Sequence, residues 1–420
     1  MSASCGKKWR LPQSYESVLH LELLSIKKVF YILQDFLALD IMQSRHWGGK
    51  TMSEQIIGRR IKALREKRNL TQDELADLFE FNDRQTVSAI ETGARRVTAD
   101  ELVLAAEKLG EPIDYFTDPF RLVGEGCFSW RQTSVNTKQL DAYEQHAGSW
   151  IAAFRTLRSQ VGHEIPLLRH TLTLDRYSSY EDAMQAGERF VSQFGLGKAP
   201  ALQLAEVMEN ELDILVLMVD ATDGVSGAAC HLADLDAVLI ARHEVSGRRH
   251  FDLAHELFHI LTWEAMPPKH IEEVEEKPRN RVEQLANNFA AAVLMPSEVL
   301  DQFGDWSDLT EEKLIAHLNL VADELHVTSS ALKWRLTALG KIKKTIANSL
   351  PEAKLHNNGR SSATEKVPPP LFSPSFLEVI GNAIEEGKVS VRRLARLLDM
   401  SVDDLSNLFT EHGLKSPIFL

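Results

Sequence analysis

An α+β fold, mostly helical, is predicted for this 420-residue chain by three observations. Apolar residues recur at helical spacing through much of its length, as at Ile57, Ile61 and Leu64. Two apolar, β-branched runs, ELDILVLMVD and DAVLIARHEV, are flanked by Gly224, Ser226, Gly227 and a Ser246-Gly247 turn, so they read as short strands. Directly after them, FDLAHELFHILTW carries His255, Glu256 and His259 in an H-E-x-x-H pattern. Residues four apart share a helix face, so two imidazoles can bind one Zn²⁺ while the intervening glutamate reaches the water it activates.

Length allows two to four domains, and an apolar fraction of 44% suits real cores rather than disorder. A formal net charge of −13 argues against nonspecific coating of nucleic acid and confines any DNA contact to one region. Cys5, Cys127 and Cys230 are widely separated and form no C-x-x-C pair, which fits a reducing compartment, the cytoplasm, without a disulfide framework. Residues 1–52 read as an N-terminal extension, with Met52 as an alternative start. Within it, VLHLELLSIKKVFYILQDFLALDIM is interrupted by Glu22, Lys27, Lys28 and Asp35, so a soluble helix is expected rather than a membrane span.

Residues 53–118 read as a small all-helical unit. Thr71 followed by Glu74 makes a capping box for a helix through Leu78. Asn82 and Asp83 break the chain, and a further helix runs from Arg84 to Glu91 before Gly93. Two short helices with such a turn form a helix-turn-helix. In that arrangement Arg84, Gln85 and Thr86 face base edges, with Ser88 and Gln72 as base or phosphate contacts. Arg59, Arg60, Lys62, Arg65, Lys67 and Arg68 add positive charge for phosphates. The whole segment LTQDELADLFEFNDRQTVSAIETGARRVTADELVLAAEKLGEPIDYF resembles the lambda-repressor/Cro-type (XRE) helix-turn-helix, including the ending Ile90, Glu91, Thr92, Gly93.

Residues 119–200 read as a helical connecting layer, in which Cys127, Trp130 and His146 are packing residues rather than ligands. A peptidase-like domain is expected over 201–345. A strand beside the H-E-x-x-H helix could hold an extended peptide by backbone pairing. The stretch after His259, WEAMPPKHIEEVEEKPRN, is polar and Pro-rich and reads as an exposed loop despite His270. NRVEQLANNFAAAVLMP then forms a helix with Glu283, Ala286, Asn287 and Ala290 on one face. Its small residues allow close approach to the H-E-x-x-H helix and bring Glu283 to the metal. Two histidines and one glutamate leave one position for water, as in a catalytic zinc site. A metzincin is excluded, because Thr262 and Ala265 stand where its glycine and third histidine belong.

VSGAACHLADLDAVLIARHEVSGRRHFDLAHELFHIL followed by VEQLANNFAAAVLMP resembles the ImmA/IrrE metallopeptidase family over about residues 200 to 340. By position the resemblance implies zinc ligands His255, His259 and Glu283, with Glu256 as general base. Phe258 stands where that family tends to place a small residue, usually glycine, a departure that bears on the pocket's shape. His243, His250, Arg248 and Arg249 are candidates for stabilising the oxyanion, and spacing selects none of them.

Val327, Leu332 and Leu336 in HVTSSALKWRLTALG read as core. Residues 351–374 read as a Pro-rich linker, and 375–420 as a C-terminal helical module for docking or dimerisation, hence the expectation of a homodimer. Together the resemblances imply a five-helix lambda-repressor-like DNA-binding domain, a gluzincin-like α+β peptidase domain and a C-terminal helical tail. The function they imply is a cytoplasmic regulator that binds double-stranded operator DNA and cleaves a protein such as a repressor or antitoxin, with no membrane partner. The alternative is a transcription factor whose peptidase-like domain senses or scaffolds with little turnover.

Overall fold

Five short helices open the described chain: α1 (Met52–Lys67), α2 (Gln72–Leu78), α3 (Arg84–Glu91), α4 (Ala99–Leu109) and α5 (Ile113–Thr117). The computed structural model describes residues 52–418 apart from 125, 134, 163–167, 274–279, 308 and 358–366, so the expected N-terminal extension and Cys5 lie outside the described residues. The capping box at α2 is formed, with Glu74 N–H donating to Thr71 Oγ1 at 3.2 Å and Thr71 N–H to Glu74 Oε2 at 2.7 Å. Asp83 caps α3 through Thr86 N–H at 2.9 Å. Ile61, Leu64, Leu75, Phe79, Val87, Ile90, Leu109 and Phe116 close one core. Gly58 lets α1 cross α3, because a Cβ there would stand 2.0 Å from the Ile90 carbonyl oxygen.

Two of the arginines read as phosphate contacts are internal struts instead. Arg60 is fully buried and donates to the carbonyls of Tyr115, Asp118 and Arg121 at 3.0, 2.8 and 2.6 Å. Arg65 donates from Nε to Glu91 Oε1 at 2.6 Å, and Gln72 Nε2 donates to Glu91 Oε2 at 2.9 Å, so buried Glu91 ties α1, α2 and α3 together. Glu91→Ala is expected to destabilise this unit by about 2 kcal/mol, because it strips a nearly buried guanidinium of its partner. Urea unfolding followed by circular dichroism measures the loss, and an unchanged midpoint would count against this strut.

The rest of the chain is a three-layer arrangement around a five-stranded sheet in the order β2-β4-β3-β1-β5. In chain order come β1 (Cys127–Gln132), α6 (Thr137–Gln160), α7 (Tyr180–Phe194), α8 (Leu204–Asn210), β2 (Ile214–Val219), β3 (Val225–His231) and β4 (Asp236–Ala241). There follow α9 (Ser246–Leu261), β5 (Ile271–Glu273), α10 (Arg281–Leu294), α11 (Ser297–Asp301), α12 (Glu311–Leu325), α13 (Ser329–Ala338) and α14 (Lys344–Ser349). The tail holds α15 (Pro374–Glu385), α16 (Val391–Leu397) and α17 (Val402–Glu411). β1 pairs antiparallel with β3 and parallel with β5, while β4 pairs antiparallel with β3 and parallel with β2.

β2 and β4 read as continuous apolar runs because both of their faces are covered. Ile214, Val216, Val238 and Ile240 meet the layer of α7, α9 and α10. Leu215, Leu217, Ala237 and Leu239 meet α6 and the tail, whose Phe376, Leu377, Ile380, Leu405, Leu408 and Phe409 are buried there. The apolar face of the tail is thus covered by the chain's own sheet. Val327, Leu332 and Leu336 are core, as expected. Among the described residues no helix is long and apolar enough to cross a membrane.

Two strands differ from expectation. CFSWRQ lies in the stretch 119–200 read as wholly helical, yet it is β1: Phe128 and Trp130 fill the tail-side core while the alternate residue Arg131 turns to the opposite layer. VSGAACH, whose glycine suggested a turn, is β3. A Cβ on Gly227 would lie 3.2 Å from the Leu239 carbonyl oxygen and 3.3 Å from Ile240 Cδ1, so the glycine eases a close approach of β4.

Candidate metal centre

α9 and α10 supply the three donors. His255 and His259 lie one turn apart on the buried face of α9, with Nε2 atoms 3.1 Å apart. Glu283, in the first turn of α10, places Oε2 3.1 Å from His255 Nε2 and Oε1 3.2 Å from His259 Nε2. One ligand atom from each residue falls within 4.8 Å of the others, and all three residues are buried.

The close approach of α10 is sequence-encoded on both of its sides. Ala286 and Ala290 are fully buried on the side of Glu283. Opposite, Gly187 of α7 lies so near that a Cβ on it would meet the Phe289 carbonyl oxygen at 2.7 Å. Buried Arg335 of α13 pins the end of α10, donating from Nε to the Met295 carbonyl at 3.1 Å and from Nη2 to Glu188 Oε1 at 2.6 Å.

The donor chemistry fits a divalent cation. His255 Nδ1 lies 2.9 Å from Asn287 Oδ1, which can only accept, so the proton sits on Nδ1 and Nε2 presents a lone pair to the cluster. His259 Nδ1 is buried without a hydrogen-bond partner, an arrangement that a protein keeps at a cost unless a ligand uses it, and Glu283 Oε1 faces only His259 Nε2. Burial and then the Arg131 cation push His255 down to about 4, so its ring is neutral. Burial acts to raise the Glu283 carboxyl, yet the hydrogen bond and charge of His259 hold it well below the usual carboxylate range. Burial acts to lower His259, and the hydrogen bond and charge of Glu283 outweigh it, holding that ring above its ordinary value.

Glu256 is buried on the same helix, and burial pushes its carboxyl up to about 8. A neighbouring cation would draw it back toward the carboxylate form. His255, His259 and Glu283 would supply three protein donors to a cation, the count found at catalytic rather than structural zinc.

Phe258 backs the site rather than lining it, with its ring 5.9 Å from that of His259. It is fully buried in the helical core, its ring 5.6 Å from that of Phe289. Each of the four oxyanion candidates is engaged with another partner: His243 meets Asp220 at 2.7 Å, and His250 meets the His326 carbonyl at 2.8 Å. Arg249 donates to the Arg242 carbonyl at 3.2 Å, and Arg248 lies 3.7 Å from Glu244 and Asp252. His270 pairs with Glu144 at 2.6 Å, outside the cluster.

Two residues at the site escape sequence reasoning, Asp252 and Arg131, and Asn287, placed by its spacing on the Glu283 face, is given no role there by the sequence. Asp252 precedes His255 by three, so helical spacing could have found it. Nothing local could have found Arg131, which reaches Asp252 Oδ1 at 3.0 Å across 121 residues of sequence.

In the helix-turn-helix, Arg84 and Gln85 are exposed at the start of α3, while Thr86 and Ser88 are half-buried. Thr86 bonds its own cap Asp83 from N–H and Oγ1, and Gln72 is engaged with Glu91, which leaves Arg84 and Gln85 as the better-presented side chains for base edges.

The fold and this cluster define a DNA-binding module joined to a peptidase-like domain. Residues 61–116 match the family model described as "Helix-turn-helix", and residues 210–337 match that described as "IrrE N-terminal-like domain". The chain therefore combines an XRE-type helix-turn-helix domain with an ImmA/IrrE-type peptidase-like domain. A comparison with curated proteins finds no match.

Among solved structures, the apo competence regulator ComR of Streptococcus vestibularis aligns over 80% of this chain and 99% of its own, at 13% identity and a TM-score of 0.15. Bacillus thuringiensis PlcR in complex with the peptide PapR7 and DNA aligns over 86% and 93%, at 11% identity and a TM-score of 0.15.

Proposed function

We propose that this chain is a cytoplasmic DNA-binding regulator with zinc-dependent endopeptidase activity, directed at a protein such as a repressor or antitoxin. The observation that carries the reading is the convergence of His255, His259 and Glu283 from two helices, with Glu256 buried on the same helix as the two histidines. His255, His259 and Glu283 would hold zinc, which when bound would supply Lewis acidity toward a water and a scissile carbonyl. The chain's own residues do the rest. Asn287 holds the His255 ring in the tautomer that offers Nε2. Glu256 takes a proton from the attacking water on a carboxylate oxygen and delivers it to the leaving amine. Arg84 and Gln85 read the operator.

The test uses zinc-loaded full-length protein and the repressor or antitoxin encoded by the neighbouring gene. A single cut is expected, lost with EDTA and restored by zinc; an intact partner beside stoichiometric zinc would overturn proteolysis. In the same preparation Arg84→Ala is expected to weaken operator binding by about 1–3 kcal/mol, the range for a base-contacting arginine, measured by gel shift. Equal retardation of both proteins would remove Arg84 from the reading surface.

A second reading, a transcription factor whose peptidase-like domain senses or scaffolds with little turnover, is favoured by one observation. Arg131 brings a fixed positive charge to within 3.0 Å of His255 Nε2.

A further inference from the structure

Arg131 is a cation already standing at the ligand cluster. It sits within β1, paired with Gly227 on one side and Glu272 on the other, and its side chain is only 13% exposed. Its Nε donates to Asp252 Oδ1 at 3.0 Å, and Asp252 is itself buried one turn before His255. So tethered, the guanidinium brings Nη1 to 3.0 Å from His255 Nε2 and 3.7 Å from Glu283 Oε2.

The tautomer decides what that contact is. With the His255 proton on Nδ1 toward Asn287, Nε2 can only accept, and Arg131 Nη1–H donates to the lone pair that a metal would need. The same guanidinium lies against the carboxylate that a metal would need. One lone pair and one carboxylate are thus shared between two rival cations.

We propose that Arg131 is a resident counter-cation that gates the metal centre: when no metal is present it donates to His255 and lies as a countercharge against Glu283, and metal must displace it from both. Asp252 is the hinge, since it holds Nε and leaves the Nη end of the fork to swing. Arg131 therefore stabilises the metal-free protein and lowers metal affinity. This rests on the metal-site part of the proposed function and not on proteolysis.

The experiment is competition for Zn²⁺ between a chromophoric chelator and the metal-free full chain. Wild type, Arg131→Gln and Arg131→Ala are compared, with His255→Ala as the background. Both Arg131 variants are expected to bind one zinc at least tenfold more tightly than wild type. Their thermal midpoints should fall below wild type without zinc and match it or exceed it with zinc. One zinc bound with equal or weaker affinity in the variants would overturn the gate and leave the metal site standing. No binding above the His255→Ala background in any of them would sink the metal site and the gate together.

Phenylglyoxal labelling of wild type, read by peptide mapping, tests the same idea without a variant that must fold. Arg131 is expected to be protected in the metal-free chain and to react once zinc is added. Labelling that zinc does not change would overturn the gate.

Discussion

Glu256→Gln is expected to keep zinc at the wild-type level and to slow cleavage of the partner protein by roughly a thousandfold, within the range that a positioned general acid–base contributes. The substitution is nearly isosteric in a fully buried position, and none of the three donor atoms belongs to Glu256, so the cluster of His255, His259 and Glu283 is untouched. What disappears is the ability to accept a proton at that point. There is a second readout. Burial holds the Glu256 carboxyl up to about 8 in the metal-free chain, so it carries a proton at neutral pH. A cation beside it favours the carboxylate, so zinc loading at pH 7 should release more protons from wild type than from Glu256→Gln, as calorimetry in buffers of different ionisation enthalpy would measure. Metal analysis, gel-based cleavage and proton release together separate a lost base from a lost site. Wild-type cleavage by Glu256→Gln would end the assigned mechanism.

What was legible in the sequence was whatever is local. The Thr71 and Glu74 box, the start of α3 at Arg84 and the spacing of His255 to His259 are all set within one or two helical turns. Glu283 was legible at longer range because α10 carries its own evidence, a small-residue face that only a close neighbour explains. What escaped is whatever needs pairing across the chain. β1 could not be told from helix because Phe128 and Trp130 owe their burial to α6 and the tail, and Arg131 owes its orientation to Asp252 on another element. Charge misled in the same way. Arg60 and Arg65 look like a phosphate-binding row along α1, but the carbonyls of Tyr115, Asp118 and Arg121 and the buried Glu91 claim them once the helices pack.

Phe258→Ala is expected to destabilise the peptidase-like domain by about 4 kcal/mol while leaving zinc affinity within a few-fold of wild type. The size of the loss follows from how little the site can collapse. Phe258 is fully buried between α9 and α10, with Phe289 at 5.6 Å and the edge of His259 at 5.9 Å. Removing the ring leaves a void that α10 could fill only by moving toward α9. That helix is held on its far side by its fit against Gly187 and at its end by Arg335 bound to the Met295 carbonyl, so the void persists and its full cost is felt. The restraints that make the substitution costly also keep Glu283 in place, which is why stability and metal affinity should part company here. Urea unfolding with and without zinc, beside chelator competition, measures both. A stability loss under 1 kcal/mol would mean that the ring packs less than its burial implies, and zinc affinity falling with stability would mean that Phe258, rather than α7 and α13, positions Glu283.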